Sequence, residues 1–378
     1  MKASSDEFSK EQVEVFFVKQ DWQSIKVWAT FQFDHVKEYR DKNNCTALHF
    51  AILRSAPMDV IDALIYAAPH LASVKTNEGE LPIHFVARLG NVPLENIHKV
   101  LKSFPEGGIC PNKYGKTALD IIWERYNFDF VEIYKACTVS SAPNDNFFLF
   151  YQIGNQYYGI TNTNFISGSY INDSHFHSSL RLKKKQWDTI LLILKAFQCH
   201  KENEDFSIDT SDFRPFHIAV GSPAPLALTA FLYPLNIAHL KEKNQMGRLP
   251  LSIAASSKDL NNNPNLCNPL LEHLLNLHPE AVSIQDKKGK VPLTLAIESG
   301  KTWSNGIGLL VKIEPRAIST RDELSRLYPF MVASIVMDGN TPKEEKKEIE
   351  LVKMDLTYRL LKENPECIRI GIPDIKSE

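Results

Sequence analysis

Residues Asn244–Ala255 read NQMGRLPLSIAA: a polar tip closing on Gly247, a proline where a helix can begin, then a run of small and apolar residues. The chain rewrites this phrase as NEGELPIHFVA from Asn77, NKYGKTALDII from Asn112 and DKKGKVPLTLAI from Asp286. Looser copies are DKNNCTALHFAI from Asp41, DTSDFRPFHIAV from Asp209 and RLYPFMVAS from Arg326. The physical content is the same each time. Gly79, Gly115, Gly247 and Gly289 permit positive φ in a tight turn. Pro82, Pro215, Pro250 and Pro292 stand at the first helical position, where no amide hydrogen is needed, and Thr46 and Thr117 can cap their helices.

The copies keep a ruler. His49, His84, Asp120, His217, Ser252, Thr294 and Met331 occupy one position in the phrase, at steps of 35, 36, 97, 35, 42 and 37 residues. After each phrase comes an apolar helix pattern with a recurrent proline, as in PLLEHLLNLHPEAVSI from Pro269 and GIGLLVKIEPRAIS from Gly306. A period of roughly 33 residues with a TPLHxA core is the ankyrin pattern. TALHFA, LPIHFVA and RPFHIA therefore make the chain resemble ankyrin-repeat proteins. The wording helix–Pro-Glu-Ala–Asp–x–x–Gly–x–Pro–Leu over 274–293 resembles a large ankyrin-repeat family of unicellular algae such as diatoms. Trp187-Asp-Thr-Ile-Leu-Leu-Ile-Leu-Lys ahead of RPFHIAVGSPAP belongs to the same likeness.

The expected fold is mainly α, an ankyrin-repeat α-solenoid of about seven repeats with helical caps and a β-hairpin insert. Capping helices are expected over 1–38, where Ser9-Lys-Glu-Gln12 is a capping box, and repeats one to three over 39–137. The insert spans 138–186. An outer helix, repeats four to seven and a C-terminal cap follow over 187–378. In the insert, NFFLFYQI from Asn146 and QYYGIT from Gln156 flank Gly154-Asn155 and read as two strands. Asn162–Ser179 reads as a polar loop. The apolar sets on both sides, Phe128 to Tyr134 and Trp187 to Phe197, argue for one continuous stack, because an uncapped apolar end would be left in water.

Composition narrows the function. Forty-three basic against forty-five acidic residues give a formal charge of −2, which makes no electrostatic case for nucleic acid or an anionic membrane. No apolar run is long enough to span a bilayer, and the first residues lack a basic-then-apolar signal. Six scattered cysteines without CxxC fit reduced thiols in the cytoplasm or nucleus.

The histidines are the main catalytic lure. His49, His84 and His217 recur on the repeat ruler, so a structural hydrogen-bonding role is expected. His175-x-His177 lacks a third ligand at metal spacing. Arg181-Leu-Lys-Lys-Lys185 reads as a solvated flank before the Trp187 helix, with a nuclear-import or phosphate patch as the alternative, and no phosphate-loop or zinc-protease motif occurs. No cofactor and no metal is expected, nor catalysis. The reading is a monomeric scaffold that binds a protein partner along the concave face. The alternative is a stack whose insert forms a small-molecule or catalytic pocket. Partner contacts are expected from Arg88, Tyr114, Arg125, Met246, Arg248, Lys288 and Glu298, at the tips and outward ends of the first helices.

Overall fold

A computed structural model describes residues 8–126, 149–153, 156–160, 174–202, 214–235, 237–257, 269–335 and 343–366. The chain divides into two compact units, Met1–Ile218 and Ala219–Glu378. Both are mainly α-helical and repeat-like.

In the first unit, Lys10–Lys19 begins at a Ser9 capping box, with Gln12 closing it. Trp22–Phe31 and Phe33–Glu38 follow. The repeats then build two layers. Ala47–Leu53 packs against Pro82–Leu89 in one layer, which continues in a helix over 118–126. Trp22–Phe31, Met58–Ala67, Leu94–Ser103 and Ser174–Glu202 pack successively in the other. Prolines at 69 and 105 turn each second-layer helix into a short 3-10 segment, Pro69–Ser73 or Pro105–Ile109. Between the layers Leu48, Ile52, Ile61, Leu64, Leu71, Ile83 and Leu101 are buried. Each such side chain is worth about 1.5–3 kcal/mol before chain entropy is counted.

The second unit repeats the plan. Pro250–Ser256, Pro292–Glu298 and Pro329–Ile335 stack in order, with Pro269–Leu277 and Gly308–Ile313 behind them. Lys343–Glu363 then packs on Pro329–Ile335. Leu81, Leu249 and Val291, which replace the capping threonine, are buried, so apolar contact stands in for the missing cap bond.

The fold-class expectation is corrected at the insert. The fold is a mainly helical repeat array, and a β-hairpin insert is not one of its components. The β structure among the described residues is a bare backbone pairing of Leu149–Ile153 with Gln156–Ile160, antiparallel, with Tyr151 opposite Tyr158. Among the described elements, the close packing of these two strands is with each other. Two five-residue strands bury too little to form a layer of their own. The expected polar loop is also cut short, because helix runs from Ser174, through His175, His177 and Arg181–Lys185, to Glu202. Helix formers such as Leu, Arg and Lys extend a helix whose apolar end is already anchored. That anchor is the buried set Trp187, Ile190, Ile193 and Leu194. The aromatic set at 128–134 lies outside the described residues.

Glycine at the tips is unequal in its duties. Gly79 and Gly115 both have φ of +73°. A Cβ on Gly79 would stand 2.8 Å from the backbone nitrogen of Lys113, whereas one on Gly115 meets no atom within 4 Å. Gly115→Ala is therefore expected to lose about 1 kcal/mol of stability from backbone strain alone. Gly79→Ala should lose clearly more, because the next tip must shift. Equal melting temperatures for the two variants would contradict this.

Candidate functional site

The candidate site is built on the tips and the exposed sides of the first-layer helices, so the tip comes first. Six times among the described residues, the amide of the residue at the positive-φ position or just beside it closes a turn onto the carbonyl of Asp41, Thr76, Asn112, Asn244, Asp286 or Asp322. All six also bind the turn with their own side chains: Thr76 Oγ1 accepts from the Glu80 amide (3.2 Å) and Asp322 Oδ2 from the Ser325 amide (3.0 Å), and the other four make a two-bond version. Oδ1 of Asp41, Asn112, Asn244 and Asp286 each accepts two tip amides, as from Tyr114 and Lys116 (2.9 and 3.0 Å) or Met246 and Arg248 (3.0 and 2.9 Å). Consecutive tips are then tied by backbone bonds: Asn77 to Asn43 (2.9 Å), Lys113 to Glu78 (3.0 Å) and Lys287 to Met246 (3.0 Å). The exposed tip side chains thus stand on a fixed frame within each unit.

The histidines tie that frame to the helices. Backbone amides of Thr46 and Leu81 donate to Nδ1 of His49 and His84 at 3.1 and 3.0 Å. Nδ1 is the acceptor, so Nε2 carries the proton. It donates to the carbonyl of Glu80 (3.2 Å) from His49 and to that of Lys116 (3.3 Å) from His84. Each histidine therefore joins its helix start to the tip of the next repeat. Both are buried, and burial pushes the His49 pKa down to about 4 and His84 in the same direction. A neutral ring with both nitrogens bonded to backbone has no free edge for acid–base work. Asp120 replaces histidine in the third copy and accepts from the Thr117 amide (2.8 Å) and hydroxyl (2.7 Å), but a carboxylate has no proton to pass onward. His217, Ser252 and Thr294 are buried at the same position.

The sequence-predicted contact residues divide into two groups. Tyr114, Met246, Lys288 and Glu298 are exposed; Arg88 and Arg125 are exposed as well but bonded into the frame, and Arg248 is half-buried. The Tyr114 hydroxyl donates to Glu78 at 2.6 Å, which raises the tyrosine pKa and lowers that of Glu78. Glu298 pairs with Lys290. The arginines carry structural work that the sequence did not disclose. Arg88 pairs with the buried carboxylate of Glu80 and lies over the Phe85 ring, 5.7 Å from its centroid. Arg125 donates to the carbonyl of Arg88 and sits 5.6 Å from the Tyr126 ring. Arg248 holds Asp286 of the following tip through Nε at 2.9 Å, and Asp286 is buried. Leu53, the last residue of the first-layer helix Ala47–Leu53, is also exposed.

Cysteine chemistry is muted at the same site. Burial, with Asp41 beside it, raises the Cys45 thiol to about 11, and burial raises Cys110 as well. Among the described residues no group of three or more His, Cys, Asp or Glu side chains is placed to hold a metal ion. No described helix is long and apolar enough to cross a membrane.

The chain matches no protein-family model, and a search of curated proteins finds no significant relative. The functional reading therefore rests on the geometry.

Proposed function

We propose that the chain is a non-enzymatic interaction scaffold of the ankyrin type, which binds a protein partner along the tips and the exposed sides of the first-layer helices. The observation that carries this reading is the hydrogen-bonded tip frame. It spends Asx side chains and tip-to-tip backbone bonds on holding exposed side chains such as Tyr114 and Met246 in fixed positions. A preordered surface loses less entropy on binding than a flexible one. The buried, backbone-bonded histidines support the non-catalytic half of the proposal.

Mutation separates surface from scaffold. Tyr114→Ala and Met246→Ala should each weaken partner binding by about tenfold or more if they are anchors, since hot spots are worth roughly 2 kcal/mol. Neither should lower the melting temperature. Arg88→Ala should behave differently: it strands the buried Glu80 carboxylate and should lower the melting temperature by itself. Unchanged affinity in both Tyr114→Ala and Met246→Ala would move the binding surface away from the tips.

A further inference from the structure

The tips of the second unit carry a charge that its folding does not use. Three of them, closed by Asn244, Asp286 and Asp322, stand ahead of the stacked helices Pro250–Ser256, Pro292–Glu298 and Pro329–Ile335. Lys241, Lys287, Lys288 and Arg326 are exposed on this edge and meet no carboxylate among the described residues. Lys243 and Arg321 are exposed as well; Lys243 donates to the Gln285 carbonyl (3.4 Å), and Arg321 lies 4.5 Å from the centroid of the Tyr328 ring. The acidic side chains of the edge are mostly spent. Asp286 is buried against Arg248, Asp322 is buried and accepts from Ser325, and Glu298 pairs with Lys290, which leaves the exposed Glu242 and Glu323. Like charges held on a fixed edge repel one another until a complementary surface meets them.

The same edge presents apolar anchors in register. Two places after the closing Asx residue, the three tips expose Met246 (43%), Lys288 and Leu324 (70%). Their backbones are held: the Met246 and Lys288 amides donate to Asn244 and Asp286, Lys287 binds the Met246 carbonyl, and the Ser325 amide donates to Asp322. Stacked helices stand about 8–10 Å apart, so two repeats separate Met246 from Leu324 by roughly 16–20 Å. An extended chain covers that span with about five or six residues. No exposed residue of these three tips is aromatic, so the bases of a single strand would find no ring to stack on. We infer that this edge takes an extended acidic segment of the protein partner, with two apolar side chains about five or six residues apart and carboxylates around them. The inference rests on the tip-binding proposal and names the partner's chemistry at the second unit.

Fluorescence anisotropy with the full chain and synthetic peptides tests this. The probe is a labelled peptide of about twelve residues, rich in Asp and Glu, with two leucines about six residues apart. It should bind, and more weakly as salt rises from about 50 to about 300 mM. Lys287→Glu with Lys288→Glu should weaken binding by about tenfold or more, and Leu324→Ala by about threefold or more. Neither change should lower the melting temperature, since these side chains are exposed and only the backbone there serves the turn. No binding of the acidic peptide would overturn the inference, as would full affinity in the charge-reversed variant. Equal binding of a lysine-rich peptide, or of an acidic peptide with its leucines adjacent, would also overturn it. Equal binding of a single-stranded oligonucleotide of matched charge would assign the edge to nucleic acid instead. The tip-binding proposal is judged separately, on the native partner: if Met246→Ala weakens that partner while the acidic peptide fails, only the present inference falls.

Discussion

Acidification from pH 7 to pH 4.5 should destabilise the folded chain, with His49 contributing on the order of 2–3 kcal/mol of the loss. The sign follows from the two states. In the folded protein burial holds the His49 pKa at about 4, against the ordinary value of 6.5. Between those two values the unfolded chain binds the proton and the folded chain does not. Stability is therefore full above pH 6.5 and is lost as pH falls toward 4. His84 shifts in the same direction and adds to the effect. Protonation would place a hydrogen on Nδ1, where the amides of Thr46 and Leu81 already donate. His49→Ala should lose about 1–3 kcal/mol at pH 7, by stranding the Thr46 amide and the Glu80 carbonyl. It should also show a shallower acid slope than wild type in urea titrations at several pH values. A variant with wild-type stability and wild-type acid slope would remove the histidine from its assigned place.

The largest single loss is expected at the Arg248–Asp286 pair. Asp286 uses Oδ1 to hold the amides of Lys288 and Lys290 (2.9 and 3.0 Å), and Oδ2 to meet Arg248 of the preceding tip at 2.9 Å. Its side chain is 1% exposed. Removing the guanidinium leaves a buried carboxylate without its counter-charge, so Arg248→Ala should lose about 3 kcal/mol. Asp286→Asn should be mild, because Asn112 and Asn244 accept the same two tip amides in their own turns. In the Asp286→Asn background, Arg248→Ala should lose little. Thermal or urea unfolding of the four proteins gives the coupling, expected at about 2 kcal/mol. Coupling near zero would reduce the pair to a surface contact.

These two sites show what sequence can and cannot carry. The turn is legible, because glycine at positive φ, proline at a helix start and an Asx side chain each serve a local need within a few residues. The histidine role is legible too, since repetition on a ruler points to architecture. Partnerships across repeats are not. Arg248 meets Asp286 thirty-eight positions away, and Arg88 is committed to the buried Glu80. Both arginines read as free anchors when only their place in the phrase is known. The helix start at Ser174 is not legible because its first residues are polar, and the apolar anchor from Trp187 onward shows where the helix packs but not how far it extends toward the N-terminus. The hairpin was overvalued for a related reason. Alternating aromatics suit strand pairing, but a fold component also needs a partner surface, and none is written in the local sequence.

Site-specific photo-crosslinking in the native cell tests the partner-binding proposal most directly. A photoreactive residue would be placed at Tyr114, at Met246, and at Tyr66 on the second-layer helix Met58–Ala67, where Tyr66 is 83% exposed. All three positions are open to solvent, so reactivity alone does not distinguish them. A discrete protein adduct from positions 114 and 246, and none from 66, is the predicted result. An adduct from position 66 with none from 114 or 246 would place the partner on the opposite layer and contradict the proposal.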